Sequence, residues 1–567
     1  MTPDYGEKEQ ALPFRPRERP ALHPLTAATA HSWLPMMIRY FLAASFLFLL
    51  GFFYAHATLP GLAGTRCQPG SPTDPCSFFE AGPREDPRTD LPRTNSTSRR
   101  PQALCTQREY ETGHWEPIPL VNITQQVLDF EDTLPNPYGV SWHYCAPMPD
   151  IRSAGGGRWN HGKWDEGERS DEETFLEGEK RSVGINAWEW VPEMGRECMV
   201  EWDAIDLVVR LLRSPGGLIL VGDSITRQHY HSIMHLIASA GITYGSDLPT
   251  LPMADHKNVN QHTLNPASPS TALLLSLSGV PKSRILRPIV TYLEDHLFIG
   301  QADIREITYR FGAEEGYTWW YDFQRVEDWE KFVQDAARPR YGEVESVRED
   351  TVVLLNTGPH WSRNDINMLP KNKLPEEFAR LRGCYAAMVD KVTARLNPIP
   401  QLSVVYRSTS PGHPGCRNRR TPYFDLRSAL YHEANVRQRL LDDAENDKIR
   451  DGRKVWDWDL FPDHNDAWRS KIRSLSRRRG SRGASATKKA TKGGANWLYM
   501  DIWDMSLQRP DAHNEPSDCL HWCMPVVLNE WTYLLHHVLS LQERKMELER
   551  VAAKPDSPDS SVPIHWD

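Results

Sequence analysis

Two short stretches of the chain have residue types and spacing suited to nucleophilic chemistry. Gly222-Asp223-Ser224 follows the apolar run Leu218 to Val221 and precedes a helical pattern. A serine there stands at a strand's carboxyl end and a helix amino terminus, where unpaired N–H groups and the helix dipole stabilise an alkoxide or oxyanion. Gly222 permits a tight turn and close approach of a substrate. Asp223 equally suits a helix N-cap, so the tripeptide alone also fits a plain structural turn. Far downstream the chain reads Asp518-Cys519-Leu520-His521-Trp522-Cys523. Asp and His three apart in a helical turn share a face, so the carboxylate can hold Nδ1–H and leave Nε2 as a base for serine. A turn pinned by Cys519 and Cys523 would have the same spacing. Arg227, one helical turn after Ser224, either faces the site or takes an arginine's ordinary place on the surface. His360 is a rival base with no acidic residue in sequence placed to orient it, and His229 and His231 read as structural. There is no HExxH or GxxxxGK[ST], and Gly155-Gly156-Gly157 lacks a preceding strand, so no metal or nucleotide loop is expected.

The elements that must position these residues follow from hydrophobic patterning. Leu218–Val221, Thr351–Leu355, Leu402–Tyr406 and Leu498–Ile502 read as short buried strands. Helices are expected over about 226–240, from Pro375 with the stripe Phe378, Leu381, Tyr385, Met388, Val392 and Leu396, and over about 525–543. Strands alternating with helices predict an α/β fold with a mostly parallel sheet covered on both faces, and sites at the strands' carboxyl ends.

The chain has 567 residues, with 66 Lys+Arg against 75 Asp+Glu for a net charge of −9, the opposite balance to a general nucleic-acid binder. A mean hydropathy of −0.57 excludes a multi-span membrane protein. One stretch departs from that mean: Tyr40 to Leu59 holds no Asp, Glu, Lys or Arg and is long enough to cross a bilayer as a helix. Arg15, Arg17, Arg19 and Arg39 precede it, whereas Arg66 stands alone shortly after, so residues 1–39 are expected to be a cytosolic tail and the bulk luminal. The alternative is a cleaved signal peptide, with Ala55-His56-Ala57 as a weak cleavage site. All nine cysteines follow the span, as do the sequons at Asn95 and Asn122, which suits an oxidising lumen and glycosylation there. A single-pass type II protein of the Golgi or endoplasmic reticulum is expected. Residues 60–104 read as a disordered stem, 105–545 as the catalytic domain and 546–567 as a polar tail. Residues 468–495, rich in Arg, Lys, Ser and Gly, read as a disordered basic insertion.

VGDSITRQ and DCLHWCMP together resemble the trichome-birefringence-like/PC-esterase family, a branch of the SGNH (GDSL-type) hydrolases. CTQREYETGHWEP, WEWVPEMGREC, LLNTGPHW and RPDAH (Arg509 to His513) are similar to further family segments and occur in the family's order, so the resemblance spans most of Cys105 to Glu543. It implies a three-layer SGNH-type α/β/α fold, with Ser224 as nucleophile, His521 as base and Asp518 as its orienting carboxylate. It also implies an oxyanion hole from the serine N–H, a glycine N–H and the Asn356 side chain. Gly279 and Gly300 both stay open for the glycine. Met524-Pro525-Val526 departs from the family's usual Leu-Pro-Gly.

The implied activity is O-acyl transfer, with acetyl passing from a donor through an acyl-serine to a sugar hydroxyl of a glycan or polysaccharide. An acetylesterase with the same residues is the nearer alternative, and a non-catalytic glycan-binding or structural protein the farther one. No bound cofactor is expected. The donor would be acetyl-CoA or an acyl carrier, and a multi-span acetyl-donor protein would be a fitting partner. Position alone suggests pairing of Cys416 with Cys519 or Cys523.

Overall fold

The computed structural model describes residues 104–118, 181, 184–245, 251–253, 255–319, 324–414, 416, 419–445, 456–483, 494–513 and 519–552. The expected cytosolic tail, span, stem, Asn95 and Asn122 lie outside the described residues. Among the described residues, no helix is long and apolar enough to cross a membrane.

In chain order the elements begin with helix α1 (Gln107–Glu111), strands β1 (Gly113–Pro117) and β2 (Trp188–Pro192), and helix α2 (Ala204–Leu212). Strand β3 (Leu218–Gly222), helix α3 (Ser224–Ser239), strand β4 (Val259–His262), helix α4 (Pro269–Ser278) and strand β5 (Val290–Glu294) follow. Then come helices α5 (Gln301–Arg310) and α6 (Trp329–Ala336), strand β6 (Thr351–Asn356), helix α7 (Leu374–Leu396) and strand β7 (Leu402–Arg407). Helices α8 (Leu426–Glu445) and α9 (Phe461–Gly483), strand β8 (Asn496–Met500), and helices α10 (Trp503–Leu507) and α11 (Val526–Ala552) complete the order.

The main sheet runs β4-β5-β3-β6-β7-β8, parallel throughout except for β4, which pairs antiparallel with β5 at the edge. Strands β3, β6 and β7 are buried along their whole length, as continuous apolar runs in a sheet covered on both faces must be. Their side chains alternate between two cores. Leu218, Leu220, Val352 and Leu354 pack with α2, α3 and α11, whereas Ile219, Val221, Val353 and Leu355 pack with α5, α6, α7 and α9. The α7 stripe of Phe378, Leu381, Tyr385, Met388, Val392 and Leu396 is buried as its periodicity predicts.

After β3 the chain goes out to the edge strand β4, returns as β5 beside β3, then crosses to lay β6 on the other side of β3. At such a reversal the two connections diverge and leave a crevice at the strands' carboxyl ends, where ligands bind in open α/β sheets. Ser224 follows β3 at this point. A smaller antiparallel ribbon, β1 with β2, places Trp115 opposite Trp190, their rings 5.8 Å apart edge to face. The Cys105–Cys198 disulfide holds the segment before α1 to the turn after β2.

The structure corrects two sequence expectations. Residues 468–483 are not a disordered insertion but the greater part of α9. Trp468, Ile472 and Leu475 recur on one helix face and pack into the core beneath the basic residues, which composition alone conceals. Arg469 bonds Asp466 and Asp501, and Lys471 bonds Asp390. The final helix likewise runs beyond its expected end at about 543, because α11 continues to Ala552. Trp468 is fully buried, stacks on Tyr406 with centroids 4.5 Å apart, and donates from Nε1 to Tyr385 Oη at 3.2 Å. Trp468→Ala should therefore cost about 3 kcal/mol in a denaturant melt; a solvated position would cost less than about 0.5.

Candidate active site

Ser224 is the first residue of α3. Asp223, its N-cap, accepts at Oδ1 from the backbone N–H of Ile225 (3.0 Å) and Thr226 (3.4 Å). The Arg227 N–H bonds Asp223 O. These contacts leave the Ser224 N–H as the first-turn donor pointing out of the helix start, beside its own side chain. Gly222 is required for a different reason from substrate access: a Cβ there would collide with Asn356 O of the neighbouring strand and with the Thr226 side chain. Asp223 and Gly222 thus build the turn on which Ser224 is presented.

Ser224 Oγ lies 2.7 Å from His521 Nε2. The structure brings together two residues 297 positions apart in the chain, in the geometry a serine–imidazole pair requires. Asp518 lies outside the described residues. The loop carrying His521 is held from several sides. Gln228, one turn after Ser224 on α3, makes two backbone bonds to Trp522: its Nε2 donates to Trp522 O at 2.7 Å, and its Oε1 accepts from Trp522 N at 3.0 Å. Trp522 is fully buried, stacks on His513 at 4.1 Å, and donates from Nε1 to Ser410 Oγ. Cys519 is bonded to Cys416, one of the two pairings left open by position, with Cα atoms 5.6 Å apart. Cys523 is also disulfide-bonded. Cys384 is a free, buried thiol, and burial pushes it up to about 12, so it stays protonated.

Asn356 does not meet the role implied for it. It is fully buried at the end of β6, opposite Gly222 in the register. Its Nδ2 donates to Arg407 O (3.1 Å) and Thr409 Oγ1 (3.2 Å), which engages both amide hydrogens inside the fold. Its Oδ1 accepts from Arg407 Nη2 at 2.5 Å and Thr226 Oγ1 at 3.4 Å. The cause lies below it. Arg407 is wholly buried over the Trp531 ring, 4.7 Å from its centroid, and burial lowers it to about 10 against the attraction of Asp223. A guanidinium so placed needs a buried acceptor, and the Asn356 amide oxygen supplies it. Asn356 therefore ties the ends of β6 and β7 to α3.

A second polar cluster lies at the same sheet edge. Glu294, at the end of β5, is the register partner of Gly222, and its carboxylate pairs with Arg227 at 3.4 Å. Arg227 is accordingly turned toward the strand ends and is only partly exposed, not a free surface arginine. His296 sits 3.5 Å from Glu294 through Nε2 and stacks on His360 with centroids 3.8 Å apart. Burial, then the hydrogen bond from His296, act oppositely on Glu294, and its carboxyl lies below the usual range. Burial, reinforced by the neighbouring His360, lowers His296. Asp295 organises the loop between them by accepting from Leu297, Phe298 and Val326 N–H groups, and burial raises it to about 7.

His360 requires a correction. Its Nδ1 lies 2.9 Å from Asp365 Oδ2, with both side chains buried, so an acidic residue does orient it. The turn after β6 folds back, with Ile366 N bonded to Ser362 O and Asp365 N to Ser362 Oγ, and brings a carboxylate five positions on into reach. The imidazole bonded to Ser224 is nevertheless His521. His229 is fully buried edge-on to Trp531, and burial lowers both it and His231, the latter to about 3, as structural histidines behave.

Sequence reasoning missed Gln228, Glu294, His296, Asp365 and Arg407. Gln228 lies one turn after Ser224 and could have been found by asking what else shares its helix face; the others have no local signal. Among the described residues, no group of three or more His, Cys, Asp or Glu is arranged to hold a metal ion. No protein-family model and no curated protein matches the chain.

Proposed function

We propose that this chain is an O-acyltransferase of the SGNH/PC-esterase type that moves an acetyl group from a donor to a sugar hydroxyl of a glycan. The observation that supports it is the 2.7 Å contact between Ser224 Oγ and His521 Nε2 at the helix start. In this reading His521 takes the Ser224 proton as Oγ attacks the donor carbonyl. The oxyanion develops beside the Ser224 N–H, where the α3 dipole and the first-turn amides stabilise it. Collapse expels the donor's leaving group, which takes the proton from His521 and leaves an acetyl-serine. A sugar hydroxyl then gives its proton to His521 and attacks the ester, and its collapse returns the proton to Ser224. Asp518, three residues before His521, is the proposed orienting carboxylate.

The acetyl group and the sugar acceptor come from the motif resemblance; the serine–imidazole pair supports acyl transfer in general. The Cys105–Cys198 and Cys416–Cys519 disulfides support an oxidising compartment, in keeping with a type II membrane protein whose catalytic domain is luminal. The test supplies the full chain with acetyl-CoA and separately with an activated acetyl ester, beside a panel of glycans, and reads acetylated glycan by mass spectrometry. Acetylated glycan is the expected product. Free acetate from a pre-acetylated glycan, without transfer, would make the protein an esterase. Neither product with any donor would remove both readings.

A further inference from the structure

Behind the His521 loop lies a buried pair of imidazoles that the serine chemistry does not use. His413 Nε2 is 3.1 Å from Leu507 O, His413 Nδ1 is 2.6 Å from His513 Nε2, and His513 Nδ1 is 3.1 Å from His521 O. His413 is 2% exposed and His513 is fully buried. Carbonyl oxygens only accept, so His413 Nε2 and His513 Nδ1 must each carry a hydrogen. A neutral imidazole carries one hydrogen in all. Two neutral rings would therefore turn bare lone pairs toward each other across the 2.6 Å contact. Three bonds in a row need three hydrogens.

We propose that His413 and His513 hold one extra proton between them, and that this protonated pair positions His521 by keeping His513 Nδ1–H bonded to the His521 carbonyl. The positioning half rests on the reading of His521 as the base; the shared proton does not. Burial, opposed by the bond to Leu507 O and reinforced by the Arg419 charge, holds His413 down at about 4, so the extra proton is held by the pair through the 2.6 Å contact and not by His413 alone. The surroundings are rigid. His413 N donates to Cys519 O, the Cys416–Cys519 disulfide closes that side, and Trp522 stacks on the His513 ring. Charged groups nearby are Arg419, Arg181, which donates to Asp511 O and His513 O, and Arg509, which is paired twice with Asp511. Glu515 and Asp518 lie outside the described residues.

The pH dependence has a definite sign. An ordinary imidazole loses its proton near about 6.5. The folded pair keeps it above that value, so the folded chain binds one proton more than the unfolded chain and stability falls as pH rises. The contribution is complete below about 6.5 and lost as pH passes the pair's own value. Once the proton leaves, His513 can satisfy His413 only by moving its hydrogen to Nε2, which breaks its bond to His521 O.

His413→Gln separates the alternatives, because its amide N–H can donate to His513 Nε2 while a neutral His513 keeps its hydrogen on Nδ1, so no extra proton is required. Denaturant melts of the full chain between pH 6.5 and 9.5 should show stability falling by one proton more in the wild type than in His413→Gln, over the change both share from buried carboxyls such as Asp295 and Glu111. Turnover of 4-nitrophenyl acetate should show an alkaline fall in kcat in the wild type that is absent in His413→Gln. His513→Phe keeps the stack on Trp522 and should lower kcat about tenfold at every pH. Superimposable stability profiles for wild type and His413→Gln would overturn the shared proton. The stability difference with identical kcat profiles would overturn the positioning role. A wild type that never turns over the ester would defeat the reading of the active site, while the melts would still decide the proton.

Discussion

Ser224→Ala folds as well as the wild type and turns over at least about 10⁴-fold more slowly. The two halves of this expectation come from different features. Ser224 is a first-turn helix residue, partly exposed, and Asp223 caps the helix through Ile225 and Thr226 without it. Alanine is the best helix former and leaves no cavity there, so stability should change by less than about 0.5 kcal/mol. The chemistry loses the atom to which the acyl group would be joined. With an activated ester, the wild type should release a burst of leaving group equal to one per chain, and the variant none. A fluorophosphonate should label the wild-type peptide holding Ser224 and leave the variant unlabelled. His521→Ala should lose the burst as well, since the hydroxyl is a weak nucleophile without its base. A burst preserved in Ser224→Ala would place the chemistry elsewhere, and the buried His360–Asp365 pair would become the first alternative.

Much of the frame was legible because buried parallel strands and their covering helices carry strong periodic signals. LILV, TVVLL and LSVVY each became a strand within one residue of expectation, and the α7 stripe is buried residue by residue. Strand β4, Val259-Asn260-Gln261-His262, was not legible, because an edge strand with polar side chains lacks an apolar run. The helix through Trp468 was hidden by composition: a basic outer face outweighs three apolar residues unless their spacing is read. At the site, Ser224 and His521 were legible because short motifs carry them. Asn356 shows the limit of motif reasoning. Its position at the end of a central strand was right, but the buried Arg407 on the next strand claims its side chain, and nothing local to LLNTGPHW announces that arginine. His360 shows the converse, since its carboxylate was five residues away and only the turn after β6 brings it back.

The last expectation concerns how a 2.7 Å contact between residues on a helix and a distant loop is kept. Gln228 is the direct mechanical link. It rises from the same face of α3 as Ser224 and bonds both the N–H and the carbonyl of Trp522, the residue next to His521. Any displacement of the loop relative to α3 must break one of these two buried bonds, at about 1–3 kcal/mol for each group left unsatisfied. Gln228→Leu has nearly the same volume and no bonding atoms. The loop can then shift, and a misplacement of about 1 Å between nucleophile and base lowers kcat by about 10²-fold. KM for a small ester should change little, because Gln228 is fully buried and does not meet substrate. Gln228→Glu supplies the control that a packing role would not pass. When ionised, the carboxylate can accept from Trp522 N–H but cannot donate to Trp522 O. When protonated, it does both and replaces the amide. Burial raises a carboxyl, so the protonated form persists above the usual range near about 4.3 and grows as pH falls. The ratio of Gln228→Glu to wild-type kcat should therefore rise with decreasing pH, while that of Gln228→Leu stays flat. A Gln228→Leu protein with kcat within about threefold of wild type would sever the link, and the serine and imidazole would then have to be held by the disulfide-bonded Cys519 and the His513 bond alone.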